Sequence, residues 1–417
     1  MLEGSRRCAI PCQPIPSDGL VNAVEGTLAE FLSSQIATFD ALDPALGRFA
    51  RTSRDLVLAG GKRLRPTFAY WGWRGAIGTR EPIDPVLPAL AALELMHTFA
   101  LVHDDMMDGS ATRRGRPTAH RLFAAQHHRG EGLGDPDHFG STAAILVGDL
   151  CLVWADQLLA QAALTTATLF AVRACYDRMR VEAVAGQYLD VLGETQPGEW
   201  SLDRALVVAR HKTASYTVQR PLQFGLALAG PMRSPKTAIN DAYHEYGLAI
   251  GEAFQLCDDL LGVYGDPDVT GKPAGDDLRT GKPTALLMLA HQLATPAQRA
   301  ELTRGPERTP SRTRARTPAR TPAGAVNPAD GSGGPKPPAS SSPLLDGGRA
   351  PASCHLTEQQ IARQKELIAE TGAVARVEAM IRRRVDHAVA AIRDAPIHDD
   401  ARAALTELAI TATHRPA

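Results

Sequence analysis

The chain has 417 residues, with 45 Lys and Arg against 46 Asp and Glu, a net charge of -1 and a pI near 6.9. This balance excludes a general nucleic-acid binder, whose domain carries a strong basic excess. The length can supply a core without disulfide or metal staples. Six cysteines (Cys8, Cys12, Cys151, Cys175, Cys257 and Cys354) are too sparse for a disulfide framework and read as free thiols of a reducing, cytoplasmic compartment. Cys8 and Cys12 have no nearby second Cys/His pair to complete a zinc site. Arg6 and Arg7 are followed by Pro11, Pro14 and Pro16 rather than an apolar run, so no secretory signal is read. The longest apolar stretch, Ala143 to Ala155, is broken by Asp149, and no transmembrane span is expected, since one takes roughly 18 apolar residues.

After a flexible arm at 1–19, helix-period apolar residues dominate and alternating β-branched runs are scarce. Helices are predicted over 20–38, 43–58 and 65–76. Asp84 as N-cap and Pro85 at the first helical position open a helix over 85–108, about 36 Å long, that stops at Gly109. Further helices follow over 141–164, 166–192 and 202–219, the last broken near Pro221. A second long helix runs from Lys236 to Tyr264 and stops at Gly265-Asp266-Pro267; Gly247 and Gly251 inside it mark close packing against a neighbour. The pattern continues over 283–294, 357–371, 373–393 and 398–413. Long helices on short connections imply an all-α bundle.

The segment 304–355 differs. It holds ten of the thirty prolines, repeats Arg-Thr-Pro at 308, 316 and 320, and carries eight Lys or Arg against three Asp or Glu, a surplus of five. With almost no large apolar residue it cannot offset its ordering entropy, so it reads as a disordered, basic insertion. Helical patterning resumes at 356. The expected organisation is therefore one catalytic domain over 20–303 and 356–417, interrupted at 304–355. Near-neutrality then averages a body of charge -6 and an insertion of +5.

Chemistry concentrates at two helix ends. In Leu101-Val-His-Asp-Asp-Met-Met-Asp108, Asp104 and Asp108 are four apart and share a face, with Asp105 about 100° round. Three carboxylates at a helix C-terminus repel one another and oppose the macrodipole. A hard divalent cation relieves this, and carboxylates with retained waters suit Mg²⁺, especially where phosphates complete its shell. In Phe254-Gln-Leu-Cys-Asp-Asp-Leu-Leu-Gly262, Asp258 and Asp259 repeat the arrangement, with Gln255 upstream on the same face. Two such ends facing across a cavity would clamp a polyphosphate. Basic residues complement them: Lys62 and Arg65 in Gly60-Gly-Lys-Arg-Leu-Arg-Pro66, with Arg63 turned elsewhere, Arg113-Arg114, Lys212 beside Thr213, Lys272, and Lys282. Glycines ahead of a helix start present backbone N–H groups to an anion.

The motifs GGKRLRP, HTFALVHDDMMD, RRGRPT, KTASYT, FQLCDDLLGVYGD, TGKPAGDDL and GKPT occur in this order, and in this the chain resembles the trans-isoprenyl diphosphate synthases over about 20–300 and 356–412. The resemblance implies an isoprenoid-synthase-type helical bundle around a central active-site cavity, usually dimeric. It implies Mg²⁺ on Asp104 and Asp108 with Asp105 in support, and further Mg²⁺ on Asp258 and Asp259. Lys212, Lys272 and Arg113 would contact an allylic diphosphate (dimethylallyl, geranyl or farnesyl). Lys62, Arg65, His97 and Arg114 would hold isopentenyl diphosphate, with Lys282 a further basic candidate. The chemistry would be ionisation of the allylic C–O bond, attack by the isopentenyl double bond, and proton loss to the released diphosphate. Thr213, Gln255 and the Lys212 carbonyl would stabilise the cation. The second motif departs from the pattern, with Gly262 where a third Asp is expected.

Chain length is expected to depend on what floors the cavity. Phe99 and Ala100 lie five and four residues before Asp104, a pattern that resembles geranylgeranyl (C20) producers, although ideal helix angles put Ala100 nearer the carboxylate face. Farnesyl or longer products are the alternatives. A class I terpene cyclase shares the first motif, but DDLLG and GGKRLRP argue against it. A non-catalytic synthase subunit would be expected to have lost acidic residues, and here both clusters stand.

Overall fold

A computed structural model describes residues 17–78, 80–196, 200–230, 236–266, 275–303 and 356–413. The 304–355 tract, most of the N-terminal arm and Lys272 lie outside the described residues. The elements run α1 (Ser17–Leu42), α2 (Pro44–Val57), α3 (Leu64–Ile77), α4 (Leu87–Met107), a hairpin of β1 (Thr112–Arg113) and β2 (Arg116–Pro117), α5 (Ala119–Arg129), α6 (Pro136–Ala160) and α7 (Thr166–Thr195). They continue with α8 (Leu202–Val208), a π-helical stretch (Ala209–Gln219), α9 (Arg220–Leu228) and α10 (Lys236–Tyr264). The remainder are α11 (Asp276–Thr280), α12 (Ala285–Leu293), α13 (Pro296–Leu302), α14 (Glu358–Glu370), α15 (Ala373–Arg393) and α16 (Asp399–Thr413). The all-α expectation holds, and α10 and α15 carry the predicted bounds.

Local chemistry sets several ends. Asp43 accepts a hydrogen bond from the Ala45 N–H at 2.6 Å ahead of Pro44, and Thr357 with Gln360 forms a capping box for α14. Asp84 does not cap α4 as predicted. The segment before Leu87 makes its own turn, with Val86 N–H donating to the Ile83 carbonyl at 2.9 Å, and Pro88 takes the first-turn position where a missing N–H costs nothing. The helices α5, α9, α11 and α13 and the hairpin were not anticipated.

The predicted break near Pro221 is instead a change of helical pitch. Residues 209–219 run as a π-helix, and the Arg220 N–H bonds the Ser215 carbonyl five residues back. This stretch is wedged between α7 and α10 at glycines. A Cβ on Gly186 would stand 2.6 Å from Lys212 Cα; one on Gly247, 2.8 Å from Gln219 Cβ; one on Gly251, 2.5 Å from Ala214 Cβ. The close packing expected of Gly247 and Gly251 is thus present, and its partner is the segment that carries Lys212 and Thr213.

Two apolar cores hold the bundle. The larger draws on α1 to α7, α9, the first half of α10, the end of α15, and α16, with α4 buried almost continuously from Ala89 to Met96. The smaller joins α8, the C-terminal turns of α10, and α11 to α15. Leu302 and Leu356, on either side of the 304–355 tract, belong to this same core, and Arg363 pairs with Glu301 at 2.9 Å across it. Contrary to the reading of the apolar run, α6 is long and apolar enough to cross a membrane by length and composition, but half of its apolar window is buried in the bundle.

Candidate active site

The first acidic cluster sits where α4 ends with no basic residue in its last turn. Positive charge arrives from other elements. Lys212 Nζ, on the π-helix, lies 2.8 Å from Asp104 Oδ1 and 2.5 Å from Asp190 Oδ2 on α7. Lys282 Nζ, from the turn before α12, lies 2.9 Å from the same Asp190 oxygen and 3.9 Å from Asp108. Burial alone pushes the Asp104 carboxyl up, but Lys212, Lys282 and Arg113 outweigh it and bring it down to about 2. Burial and the neighbouring Asp104 raise Asp108 despite the two lysines. Burial raises and the lysines lower Asp190, with a net fall, while Lys282 is held well above its usual range because four carboxylates, Asp190, Asp108, Asp104 and Asp277, overcome its desolvation.

Asp190 was not among the predicted residues. It is one of four carboxylates of α7, and its partners come from two distant segments; the available signal is its spacing, four residues from Gly186 and four from Glu194. Asp105, the supporting carboxylate of the first motif, is buried and engaged by Arg113, whose Nε lies 2.7 and 2.9 Å from its two oxygens. The Arg113 guanidinium stands 3.6 Å from Asp104. The RRGRPT motif is a tight hairpin with Arg113 paired to Arg116 and left-handed residues Arg114 and Gly115 at its tip, the two-residue turn that matches strand twist. That turn sends Arg113 to the acidic cluster and Arg114 to the Gly60 carbonyl.

A second group forms beside it. Arg65 is buried, donates to Thr217 Oγ1 at 2.8 Å and lies 3.9 Å from the centre of the Tyr216 ring. The Tyr216 hydroxyl lies 2.7 Å from His97 Nδ1. Burial first, then Arg65, Arg114, Arg113 and Arg63, lower His97 far below its usual range, so its imidazole is neutral. Lys62 is exposed on the adjoining loop, and Arg63 turns away as expected, into a buried pair with Glu94 at 2.8 Å and a half-buried one with Glu25 at 3.1 Å. Arg65, His97, Arg114 and Lys62 are thus gathered at one edge. Tyr216 and Thr217, one helical turn on from Lys212 and Thr213, are additions the sequence did not single out.

The third group is a relay. Thr213 Oγ1 donates to Gln255 Oε1 at 2.5 Å, and Gln255 Nε2 donates to Asp259 Oδ1 at 2.9 Å. Asp259 Oδ2 accepts the Ala285 N–H at 3.0 Å. Full burial, offset in part by Gln255 and reinforced by Asp277, pushes Asp259 up to about 7. Asp258 is half-buried at the same helix end. The relay and the lysine cluster share a cleft of about 50 Å³, lined by Asp190, Lys212, Thr213, Gln255, Asp259 and Lys282. Phe99 and Ala100 are half-buried; the Phe99 ring stands edge-on to His103 at 4.9 Å, and His103 reaches the Ile145 carbonyl on α6. Phe99 therefore faces the α6 side of α4.

A folded-state carboxyl raised toward 7 binds its proton more tightly than in the unfolded chain, so its contribution to stability is greatest in acid and is lost as pH rises through about 7. In metal-free buffer, the stability of the wild type relative to Asp259→Asn, measured by denaturant melts, should fall between pH 4 and 7, so that the two pH slopes differ. An equal slope in the variant contradicts the assignment.

Among the described residues no three acidic, His or Cys side chains converge closely enough to cage a metal alone. Four carboxylates, Asp104, Asp105, Asp108 and Asp190, meet three cations, Lys212, Lys282 and Arg113, and this oxygen-rich set fits a cation that retains waters and shares phosphate oxygens, as Mg²⁺ does.

With this geometry in view, the family profile described as polyprenyl synthetase matches residues 48–316. The chain belongs to the polyprenyl synthetase family and is a prenyltransferase. It is 31% identical over 288 residues to geranylfarnesyl diphosphate synthase of Aeropyrum pernix, covering 68% of this chain and 82% of that protein. It is 36% identical over 233 residues to geranylgeranyl diphosphate synthase of Mycobacterium tuberculosis, covering 55% and 58%. Among solved structures, geranylgeranyl pyrophosphate synthase of Corynebacterium glutamicum, complexed with isoprenyl diphosphate and magnesium, superimposes with a TM-score of 0.80 at 36% identity, over 96% of this chain and all of that one.

Proposed function

We propose that this prenyltransferase joins isopentenyl diphosphate to an allylic diphosphate with Mg²⁺ and releases geranylgeranyl diphosphate. The observation that carries the site assignment is the gathering of Asp104, Asp108, Lys212, Lys282 and the Thr213–Gln255–Asp259 relay around one cleft. Asp104 and Asp108, with Asp258 and Asp259 opposite, would hold Mg²⁺. When bound, the metal neutralises the diphosphate so that it can leave. Lys212, Lys282 and Arg113 carry fixed positive charge to the same oxygens, stabilising the charge that develops as the C–O bond breaks. Lys272 joins this allylic group in our reading. Arg65, Lys62, Arg114 and a neutral His97 hold the isopentenyl diphosphate at the neighbouring edge. The Thr213 hydroxyl oxygen and Gln255 carbonyl face the carbocation, with Gln255 anchored by Asp259. Proton loss goes to the departing diphosphate, so no protein base is required.

The C20 product rests on Phe99 and Ala100 and on the likeness to geranylgeranyl diphosphate synthases. Phe99→Ala should shift the product, separated by chain length after dephosphorylation, beyond C20. An unchanged distribution removes Phe99 as the floor, and a wild-type product other than C20 removes the chain-length assignment. We further propose a homodimer: α6 exposes Ile145, Leu146 and Val153, and α7 exposes Phe170, Val181, Val184 and Tyr188, apolar side chains that a second copy would cover. The 304–355 tract is read as an insertion into one catalytic domain, supported by the shared core of Leu302 and Leu356. The free thiols of Cys151, Cys175 and Cys257 suit the reducing cytoplasm.

A further inference from the structure

The first acidic motif ends on a carboxylate, Asp108, whereas the second, Asp258-Asp259-Leu-Leu-Gly262, ends on glycine. Gly262 lies four residues after Asp258, one turn along the same face of α10. By ligand counting this is a missing group, and the second cluster should be the weaker one. The packing around Gly262 gives another reading. A Cβ added at 262 would stand 2.6 Å from the Asp277 carboxyl carbon and 3.1 Å from Asp277 Oδ1, well inside contact distance. The place is therefore already filled by a carboxylate from elsewhere in the chain.

The backbone fixes that delivery. The Gly275 N–H donates to the Gly262 carbonyl at 3.1 Å, docking the turn before α11 onto the last turns of α10. Gly275 adopts φ +79, which a side chain would strain, and α11 starts at the next residue. The Asp277 carbonyl then accepts the Lys282 N–H at 2.9 Å, so the segment that seats Asp277 also sets the start of the turn carrying Lys282. Three residues on, the Ala285 N–H reaches Asp259.

We propose that Asp277 supplies the third carboxylate of the second acidic cluster, and that Gly262 is the seat that admits it. This rests on the reading of the cleft as a Mg²⁺-dependent diphosphate site. Placing the carboxylate on the 275–285 segment rather than on α10 ties it to Lys282, so the acidic and basic parts of this wall move as one piece. Restoring the apparent motif with Gly262→Asp should then weaken the site, because the new side chain displaces Asp277 and the Lys282 turn with it.

The test uses the full chain and two readouts: Mg²⁺ binding by calorimetry in the presence of inorganic diphosphate, and the Mg²⁺ concentration for half-maximal elongation. Asp277→Asn should weaken Mg²⁺ binding about tenfold, as loss of a metal-supporting carboxylate does. Gly262→Asp should weaken it by a similar factor. The double variant Gly262→Asp with Asp277→Ala returns one carboxylate to the same place and should recover to within about threefold of wild type, the non-additivity of groups that share a site. Unchanged binding in Asp277→Asn overturns the proposal, as does tighter binding in Gly262→Asp alone or a double variant that loses the full sum of both singles. A wild-type chain that binds no Mg²⁺ with diphosphate overturns the underlying reading and this one with it; intact wild-type binding with an indifferent Asp277→Asn overturns this one alone.

Discussion

Asp104→Ala should lower turnover at least about a hundredfold in saturating Mg²⁺, the scale of loss expected when one preorganised charge-stabilising group is removed. Asp104 is the carboxylate on which three cations act: Lys212 at 2.8 Å, Arg113 at 3.6 Å, and Lys282 through space. Its removal takes away a candidate metal ligand and also releases Lys212 from one of its two anchors. The loss should appear in kcat and in kcat/KM for the allylic substrate alike, as for an interaction made in the transition state. Labelled isopentenyl diphosphate incorporation gives both constants. Turnover near wild type contradicts the role given to the first cluster.

Asp190→Asn should reduce kcat/KM for the allylic diphosphate about thirtyfold, equivalent to about 2 kcal/mol of transition-state stabilisation. One oxygen of Asp190 lies 2.5 Å from Lys212 and 2.9 Å from Lys282, so a single carboxylate holds two ammonium groups from separate segments together. An amide in its place leaves the two lysines repelling each other with one fewer counter-charge and lets both drift from the cleft. The isopentenyl side should be spared, because Arg65, Thr217, Tyr216 and His97 hold one another without Asp190. The KM for isopentenyl diphosphate should stay within about threefold of wild type. Equal losses for both substrates would mean that Asp190 supports the fold rather than the lysine pair.

The contrast between Asp104 and Asp190 shows what the sequence could and could not reveal. Asp104 and Asp108 stand out because like charges four apart at a helix end are unfavourable without a purpose, and Asp258 and Asp259 stand out as adjacent carboxylates near another helix end. Asp190 and Glu194 are also four apart near the end of α7, but neither belongs to a run of adjacent acidic residues, and the partners of Asp190, Lys212 and Lys282, arrive from segments 22 and 92 positions away. Likewise, the helices followed from apolar periodicity, whereas the π-helical stretch at 209–219 did not. Its register is imposed by the close approach of Gly186, Gly247 and Gly251, which is a property of three packed elements. The partner of Asp105 was hidden for the same reason, because the hairpin that brings Arg113 onto it is specified by residues eight to eleven positions later. Gly262 looked like a lost carboxylate because the position of Asp277 is set by tertiary docking.

The central claim is that the two acidic helix ends and the lysine pair between them carry out Mg²⁺-dependent prenyl transfer. The most direct measurement incubates the purified full chain with labelled isopentenyl diphosphate and, in turn, dimethylallyl, geranyl and farnesyl diphosphate, with Mg²⁺ and with the metal chelated. Incorporation of label into an elongated C20 chain that stops when Mg²⁺ is chelated is the predicted result. No elongation from any of the three primers in Mg²⁺, or elongation indifferent to chelation, contradicts the account.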